Sequence, residues 1–83
     1  MDTLDVRRPI QIEMSSFQAV CVAMSLGDAS FRSERNGNFR IAKQEAAAAA
    51  MFWKATGHLK PATLYSDRAA SLEAKAMHQD ENP

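Results

Sequence analysis

The chain has 83 residues and a mass of 9.2 kDa, with ten basic and ten acidic side chains and 46% apolar residues. This length allows one hydrophobic core and excludes two, and the composition is that of a folded domain. No apolar run approaches the roughly 20 residues that span a bilayer, and the N-terminus does not resemble a secretory signal, so we expect neither a membrane protein nor a secreted one. The one cysteine, Cys21, cannot form an internal disulfide. We therefore predict a cytoplasmic protein with a single domain over residues 1–79 and a frayed tail over residues 80–83.

The neutral net charge hides an uneven distribution along the chain. Residues 29–60 contain six basic and two acidic side chains, whereas residues 1–28 and 61–83 each contain two basic and four acidic ones. One interpretation is that the middle third faces an acidic partner. The other interpretation is that the basic and acidic segments pack beside each other within the domain.

The first predicted element is an N-terminal strand. Apolar side chains alternate at Leu4, Val6, Ile10, Ile12 and Met14. This pattern is typical of a half-buried strand, and Pro9 requires it to be an edge strand, because proline has no N–H to donate to a neighbouring strand. We predict an edge strand over residues 4–14, which is best supported from Ile10 onward.

A helix is predicted next, over residues 16–26. Ser15 and Ser16 are candidate N-caps, and Gly27 stands where a helix often ends. The apolar residues between them have helical spacing: Phe17, Val20, Cys21 and Met24. A strand remains the alternative for this segment, because Val20, Val22 and Met24 also alternate and periodicity cannot decide so short a run.

The middle of the chain predicts a hairpin followed by a helix. Asn36-Gly37 accepts the positive φ angles of a type I′ turn, so residues 31–35 and 38–41 are predicted to pair as two short strands. Residues 42–56 contain five consecutive alanines, which have the highest helix propensity, and Gly57 supplies a stop. We predict a helix over residues 42–56.

The last third predicts a C-terminal helix. Residues 58–65 fit either a short edge strand or the start of a helix at Pro61. Ser66 is a candidate N-cap for a helix that ends near Met77 or His78. The predicted fold class is therefore α+β: a short antiparallel sheet, made of the N-terminal strand and the hairpin, packs against the alanine-rich helix, with one further helix on each side in sequence. The predicted core consists of Ile10, Ile12, Phe17, Val20, Met24, Ile41, Ala46, Ala49, Trp53, Leu64 and Leu72.

The sequence contains no recognisable catalytic, cofactor or metal site. Cys21 lies among apolar residues far in sequence from His58 and His78, which predicts a buried structural cysteine rather than a nucleophile. The two histidines are twenty residues apart, and no pair of metal-ligating residues has the short spacing of a metal site. The glycines are isolated and form no phosphate-binding loop. We predict a protein that is not an enzyme and needs no cofactor.

Nucleic-acid binding is the alternative function. Over residues 40–51 the sequence loosely resembles the final helix of double-stranded-RNA-binding domains, on the basis of Arg40, Ala42, Lys43, the Ala46-Ala47 pair, Ala50 and Met51. Separately from this resemblance, the predicted hairpin carries Arg32 and Arg35, and the alanine-rich helix that follows opens with Arg40 and Lys43, so cations and free helix N–H groups are available to contact a phosphate backbone. Against this, a phosphate-binding domain is usually basic, and this chain is neutral with a pI of about 6.7.

Protein binding is the function that we favour from the sequence. Small size, neutral charge and the lack of catalytic groups resemble the inhibitors and adaptors encoded by phages and other mobile elements, anti-CRISPR proteins among them. The resemblance implies stoichiometric binding to a larger protein or nucleoprotein assembly. The predicted partner-binding residues form a basic band in sequence: Arg32, Arg35, Arg40 and Lys43. A homodimer is the third hypothesis, since a domain this small gains stability from association.

Overall fold

A computed structural model describes residues 9–81 of the chain, which fold into three α-helices. The helices are α1 (Ser16–Arg35), α2 (Phe39–Ala55) and α3 (Leu59–Glu81). The predicted α+β class is wrong, because the described residues contain no strand. The part of the predicted N-terminal strand from residue 9 onward is unpaired chain that leads into α1, and the part before it lies outside the described residues.

The start of α1 follows the sequence prediction, but its end does not. Ser15 caps the helix: its Oγ accepts a hydrogen bond from the Gln18 N–H, and the Gln18 side chain accepts one from the Ser15 N–H. This reciprocal pair is the capping box. The helix then continues through Gly27 to Arg35, so Gly27 does not stop it. Gly27 instead permits close packing, because a Cβ at that position would lie 2.5 Å from the Tyr65 Oη of α3.

Two turns of the same design connect the helices. Gly37 and Gly57 have φ angles of 78° and 80°. In each turn the glycine N–H and the next N–H donate back to the last carbonyls of the preceding helix, which is the hydrogen bonding of a Schellman motif. The predicted hairpin at Asn36-Gly37 is therefore wrong: a positive φ serves a helix C-terminus as well as a type I′ turn. The predicted stop at Gly57 is confirmed.

The α2 and α3 helices are both longer than predicted. The alanine-rich helix is confirmed, but it begins at Phe39 rather than at residue 42. Residues 59–65 belong to α3, and Pro61 lies in its first turn. The N–H groups of a first turn have no acceptor within the helix, so proline removes no helical hydrogen bond there. Ser66 lies inside this helix, so it is not an N-cap. The helix continues to Glu81, beyond the predicted end near Met77 or His78.

The core is built from small side chains. The buried positions on α1 are Ala19, Ala23, Gly27 and Ser30, those on α2 are Ala42, Ala46 and Ala49, and those on α3 are Ala62, Leu72 and Ala76. The predicted core positions Ala46, Ala49 and Leu72 are confirmed, while Val20 and Trp53 are half-buried. The other six predicted core residues are exposed: Ile10, Ile12, Phe17, Met24, Ile41 and Leu64. Helices that meet through alanine and glycine lie close together, which leaves no room between them for larger side chains.

Both outer helices pack along α2, while α1 and α3 meet mainly through long side chains. The three-residue turns make successive helices antiparallel, so α1 and α3 run in the same direction. The buried Ser30 hydroxyl joins α1 to α2 by donating to the Ala42 carbonyl at 2.8 Å. Arg68 of α3 reaches the same hydroxyl, with its Nε donating at 3.3 Å. The described part of the chain is therefore a three-helix domain with a polar link at its centre.

Candidate protein-binding surface

The outer side of α1 carries a line of large apolar residues, which we call the α1 stripe: Phe17, Met24 and Phe31. Their exposed fractions are 77%, 58% and 43%. They are spaced by seven residues, so they lie on one side of the helix, beside the small residues that face α2. The sequence prediction placed Phe17 and Met24 in the core because it found an apolar face on this helix. That face exists, but it points to solvent.

The α1 stripe meets α3 at Phe31. The guanidinium of Arg68 lies 3.8 Å from the centroid of the Phe31 ring, a cation–π contact between the two helices. Leu64 lies one helical turn before Arg68 on the same side of α3, and it is 60% exposed. We call the α1 stripe together with Leu64 the front surface. An apolar surface that spans two helices in this way is typical of a protein-interaction site.

A carboxylate holds Arg68 in position. Glu34 of α1 forms ion pairs with Arg68, at 2.8 Å, and with Lys75. Glu34 and Arg68 are mostly shielded from solvent. Hydrogen bonds from Lys75 and then from Arg68 hold the pKa of the Glu34 carboxyl below its ordinary value. The ionised carboxylate therefore helps to join α1 to α3 at the end of the front surface.

This ion-pair cluster predicts a pH dependence of stability. Because the pKa of Glu34 is lower in the folded state than in the unfolded state, its contribution is present above the unfolded-state value and is lost as pH falls through the folded-state value. We expect Glu34→Gln to lower the free energy of unfolding at neutral pH and to flatten its decline in acid. Urea denaturation over a pH series measures this, with the exposed Asp67→Asn as the control. Parallel pH profiles for wild type and Glu34→Gln would contradict the assignment.

The four residues of the predicted basic band are not brought together as one exposed surface. Arg40 and Lys43 pair with Asp80 and Glu73 of α3. The hydrogen bond from Lys43 lowers the pKa of the Glu73 carboxyl. Arg32 and Arg35 lie in the last turn of α1, are exposed, and have no ion pair within residues 9–81. The basic middle of the chain thus packs in part against the acidic last third.

The candidate catalytic and metal-binding residues are dispersed. Cys21 is exposed, so the prediction of a buried cysteine is wrong. The Nδ1 atom of His58 lies 2.8 Å from the Thr56 hydroxyl, and its ring packs edge-on against Trp53 at the end of α2. Across residues 9–81, no three histidine, cysteine, aspartate or glutamate side chains are placed to hold a metal ion.

A second apolar region lies between α2 and α3. It is a groove of about 410 Å³, whose rim includes Met51, Lys54 and Leu59 and whose floor is formed by small residues such as Ala50 and Ala62. Met51 and Leu59 are strongly exposed. This groove is distinct from the front surface, because Phe17, Met24, Phe31 and Leu64 do not line it. Variants in the groove therefore serve as controls for variants in the front surface.

The sequence prediction missed Phe31, which it assigned to a hairpin strand. Two features of the sequence indicate that Phe31 belongs to α1 and continues the α1 stripe. The small residues Ala19, Ala23 and Gly27 recur every four positions, which is the spacing of a close helix contact. Phe31 also continues the seven-residue spacing of Phe17 and Met24 beyond Gly27, which a helix ending at residue 26 does not allow.

Comparison with known proteins adds no relative: no family model, no curated protein and no solved structure matches this chain. Among the helices of the described chain, none combines the length and the apolar character needed to cross a bilayer.

Proposed function

We propose that this chain is a non-catalytic protein-binding module that acts stoichiometrically, as an inhibitor or adaptor of another protein. The observation that carries the proposal is the inverted placement of its apolar residues. The core is made almost entirely of alanine, whereas ten large apolar side chains among the described residues are exposed. A chain that leaves side chains such as Phe17, Met24 and Phe31 exposed gains most of their hydrophobic free energy only when a partner covers them.

The front surface is the part of the molecule best suited to bind a partner. Its side chains project from rigid helices, so binding orders little further structure and costs little conformational entropy. Aromatic residues at the two ends of the α1 stripe are the kind of anchor that dominates binding energy. An apolar helix side of this type fits a groove on the partner protein.

Nucleic-acid binding remains the alternative function, and the support for it is weaker than the sequence indicated. Two of the four predicted cations, Arg40 and Lys43, are neutralised by carboxylates of α3. Arg32 and Arg35 remain available in the last turn of α1. A phosphate-binding protein shows affinity that falls steeply with salt, because cations are released from the nucleic acid. Salt dependence therefore distinguishes the two functions.

Affinity capture with matched variants tests the proposal. Wild type, Met24→Glu and Met51→Glu are immobilised separately, and proteins retained from the source cells are identified and then purified to reconstitute the complex. We expect a partner that binds wild type and Met51→Glu in a fixed ratio and binds Met24→Glu at least tenfold more weakly, a loss of about 1.4 kcal/mol or more. Met24→Glu places a charge in the α1 stripe, whereas Met51→Glu changes only the α2–α3 groove.

Two results would contradict the proposed function. If Met24→Glu retains the same partner with wild-type affinity, the front surface is not the binding surface. If the chain binds random nucleic acid with steep salt dependence, and Arg32→Glu with Arg35→Glu abolishes this binding, the alternative function replaces the proposal.

A further inference from the structure

We infer that Arg68 is a positioning residue of the front surface: it holds the Phe31 ring in one orientation against α3, so that this end of the surface is formed before a partner binds. The inference rests on the proposed function, because it says how the same surface is prepared for binding. It depends on the contacts that Arg68 makes with three residues of α1 and on how Arg68 differs from the neighbouring Lys75.

Arg68 uses the edge and the face of its guanidinium group at the same time. At the edge, Nε donates to the Ser30 hydroxyl at 3.3 Å, and Nη2 lies 2.8 Å from a carboxylate oxygen of Glu34. The central carbon of the group lies over the Phe31 ring, 3.8 Å from its centroid. Only arginine combines donors along a planar edge with a flat cationic face. These contacts fix both the position and the orientation of the group relative to α1.

The Ser30 hydroxyl connects Arg68 to the core. Ser30 is fully buried, and its hydroxyl donates to the Ala42 carbonyl of α2 at 2.8 Å. Because its one hydrogen is used there, the hydroxyl oxygen is free to accept from Arg68. The Arg68 and Glu34 side chains are only 15% and 23% exposed, so water competes little for their contacts. Arg68 is therefore held by a chain of contacts that reaches all three helices.

The ring that Arg68 covers on one side remains available on the other. Phe31 is 43% exposed, compared with 77% for Phe17 at the opposite end of the α1 stripe. An exposed side chain exchanges between rotamers, and a partner that fixes it loses conformational entropy on binding. Arg68 removes much of that cost for Phe31 in advance, and it attaches the ring to the helix that carries Leu64.

Lys75 separates positioning from simple charge pairing. It forms an ion pair with the same Glu34 carboxylate and also comes from α3. Its ammonium group, however, lies near the Phe39 ring, 5.9 Å from the centroid. If Arg68 only neutralised Glu34, a lysine at position 68 would replace it, and loss of Lys75 would have a similar effect. If Arg68 positions Phe31, a lysine does not replace it, because an ammonium group has no flat face.

Fluorine NMR of the full chain labelled with 4-fluorophenylalanine tests the inference without a partner. The chain has four phenylalanines, and replacing each with leucine in turn assigns its signal. We expect Arg68→Gln and Arg68→Lys to move the Phe31 signal toward that of the free amino acid and to leave the Phe17 and Phe52 signals in place. Lys75→Gln is the matched control, and we expect it to leave the Phe31 signal unchanged.

Two results of this experiment overturn the inference. One is a Phe31 signal that is the same in Arg68→Lys and in wild type. The other is a Phe31 signal that Lys75→Gln moves as far as Arg68→Gln does. Unfolding would move all four signals together and would appear in circular dichroism. If Arg68→Gln unfolds, Arg68→Lys decides the result, because it keeps the charge beside Glu34.

The protein identified by affinity capture supplies the second test. Fixing one side chain before binding accounts for about three- to tenfold in affinity. We expect Arg68→Lys to bind that protein more weakly by this factor and Lys75→Gln to bind it like wild type. A protein that binds Arg68→Lys as tightly as wild type overturns the inference and leaves the proposed function standing. If no protein is captured through the front surface, the proposed function is overturned, and the fluorine signals alone decide whether Arg68 positions Phe31.

Discussion

Replacing Leu72 with alanine is expected to leave a large fraction of the chain unfolded at room temperature. Leu72 is 1% exposed, and it is the largest fully buried side chain in the described part of the molecule. It packs against Ala42 and Ala46, with Phe39 and Tyr65 beside it. A buried Leu→Ala change costs about 2–5 kcal/mol, and a core of this size leaves only about 3–5 kcal/mol in total. Because the neighbouring alanines are too short to fill the cavity, we expect the upper part of that range.

Urea denaturation followed by circular dichroism measures this effect. The matched control is Leu59→Ala, the same change at an exposed position on the same helix. All variants are compared at one chain concentration, because association adds to the measured stability. The control is expected to stay within about 0.5 kcal/mol of wild type. A loss below about 1 kcal/mol for Leu72→Ala would mean that Leu72 does not hold the core together.

The second large effect is expected from the opposite change, an added side chain at Ala46. Ala46 is fully buried at the centre of α2, where α1 and α3 both pack. A leucine there adds three carbon atoms between helices whose spacing is set by alanine, and such overpacking costs about 1–3 kcal/mol. Separating the helices also lengthens contacts such as the Ser30–Ala42 hydrogen bond. Ala46→Leu is therefore expected to lower the urea midpoint clearly.

The control for this prediction is Ala70→Leu, at an exposed position of α3. Both variants add the same atoms and keep a good helix former, so helix propensity does not separate them. We expect Ala70→Leu to behave like wild type in urea. Equal stability of the two variants would show that the contact at Ala46 is loose enough to accept a larger residue.

The parts of the fold that could be predicted are those set by local chemistry. The Ser15 cap, the alanine-rich helix and the stop at Gly57 each depend on a few neighbouring residues. The Asn36-Gly37 turn shows where local chemistry is ambiguous, because a positive φ suits a hairpin and a helix C-terminus equally. Gly27 shows where a distant contact overrides local chemistry. Glycine is a poor helix residue on its own, and the Tyr65 ring that requires a glycine there lies 38 positions away in the sequence.

Beyond Ala46, Ala49 and Leu72, the core could not be predicted, because large apolar residues ordinarily mark the buried side of a helix. In α1 the large and the small residues lie on neighbouring sides, and the small ones are buried. Tertiary packing decided between them: the alanines of α2 require a close neighbour, which Ala19 and Ala23 supply. The candidate surface follows from the same choice, since Phe17 and Met24 are left outside.

The basic band was separated by contacts that are distant in sequence. Arg40 and Lys43 find their carboxylates at Asp80 and Glu73, on another helix. The sequence showed only that the middle of the chain is basic and its last third acidic. One of the two interpretations of this charge distribution was that the two segments pack against each other. That packing accounts for Arg40 and Lys43, but not for Arg32 and Arg35.

The order in which the helices pack also bears on how the chain folds. Each helix packs along its immediate neighbour in sequence, and the one distant pairing, between α1 and α3, is made by side chains rather than by closely packed backbones. Proteins with such short sequence separations between contacting residues fold in microseconds to milliseconds, because little chain entropy is lost before contacts form. During synthesis α1 and α2 can pair before α3 has left the ribosome. Leu72 and the basic partners of Glu34 then arrive last, and they complete the domain.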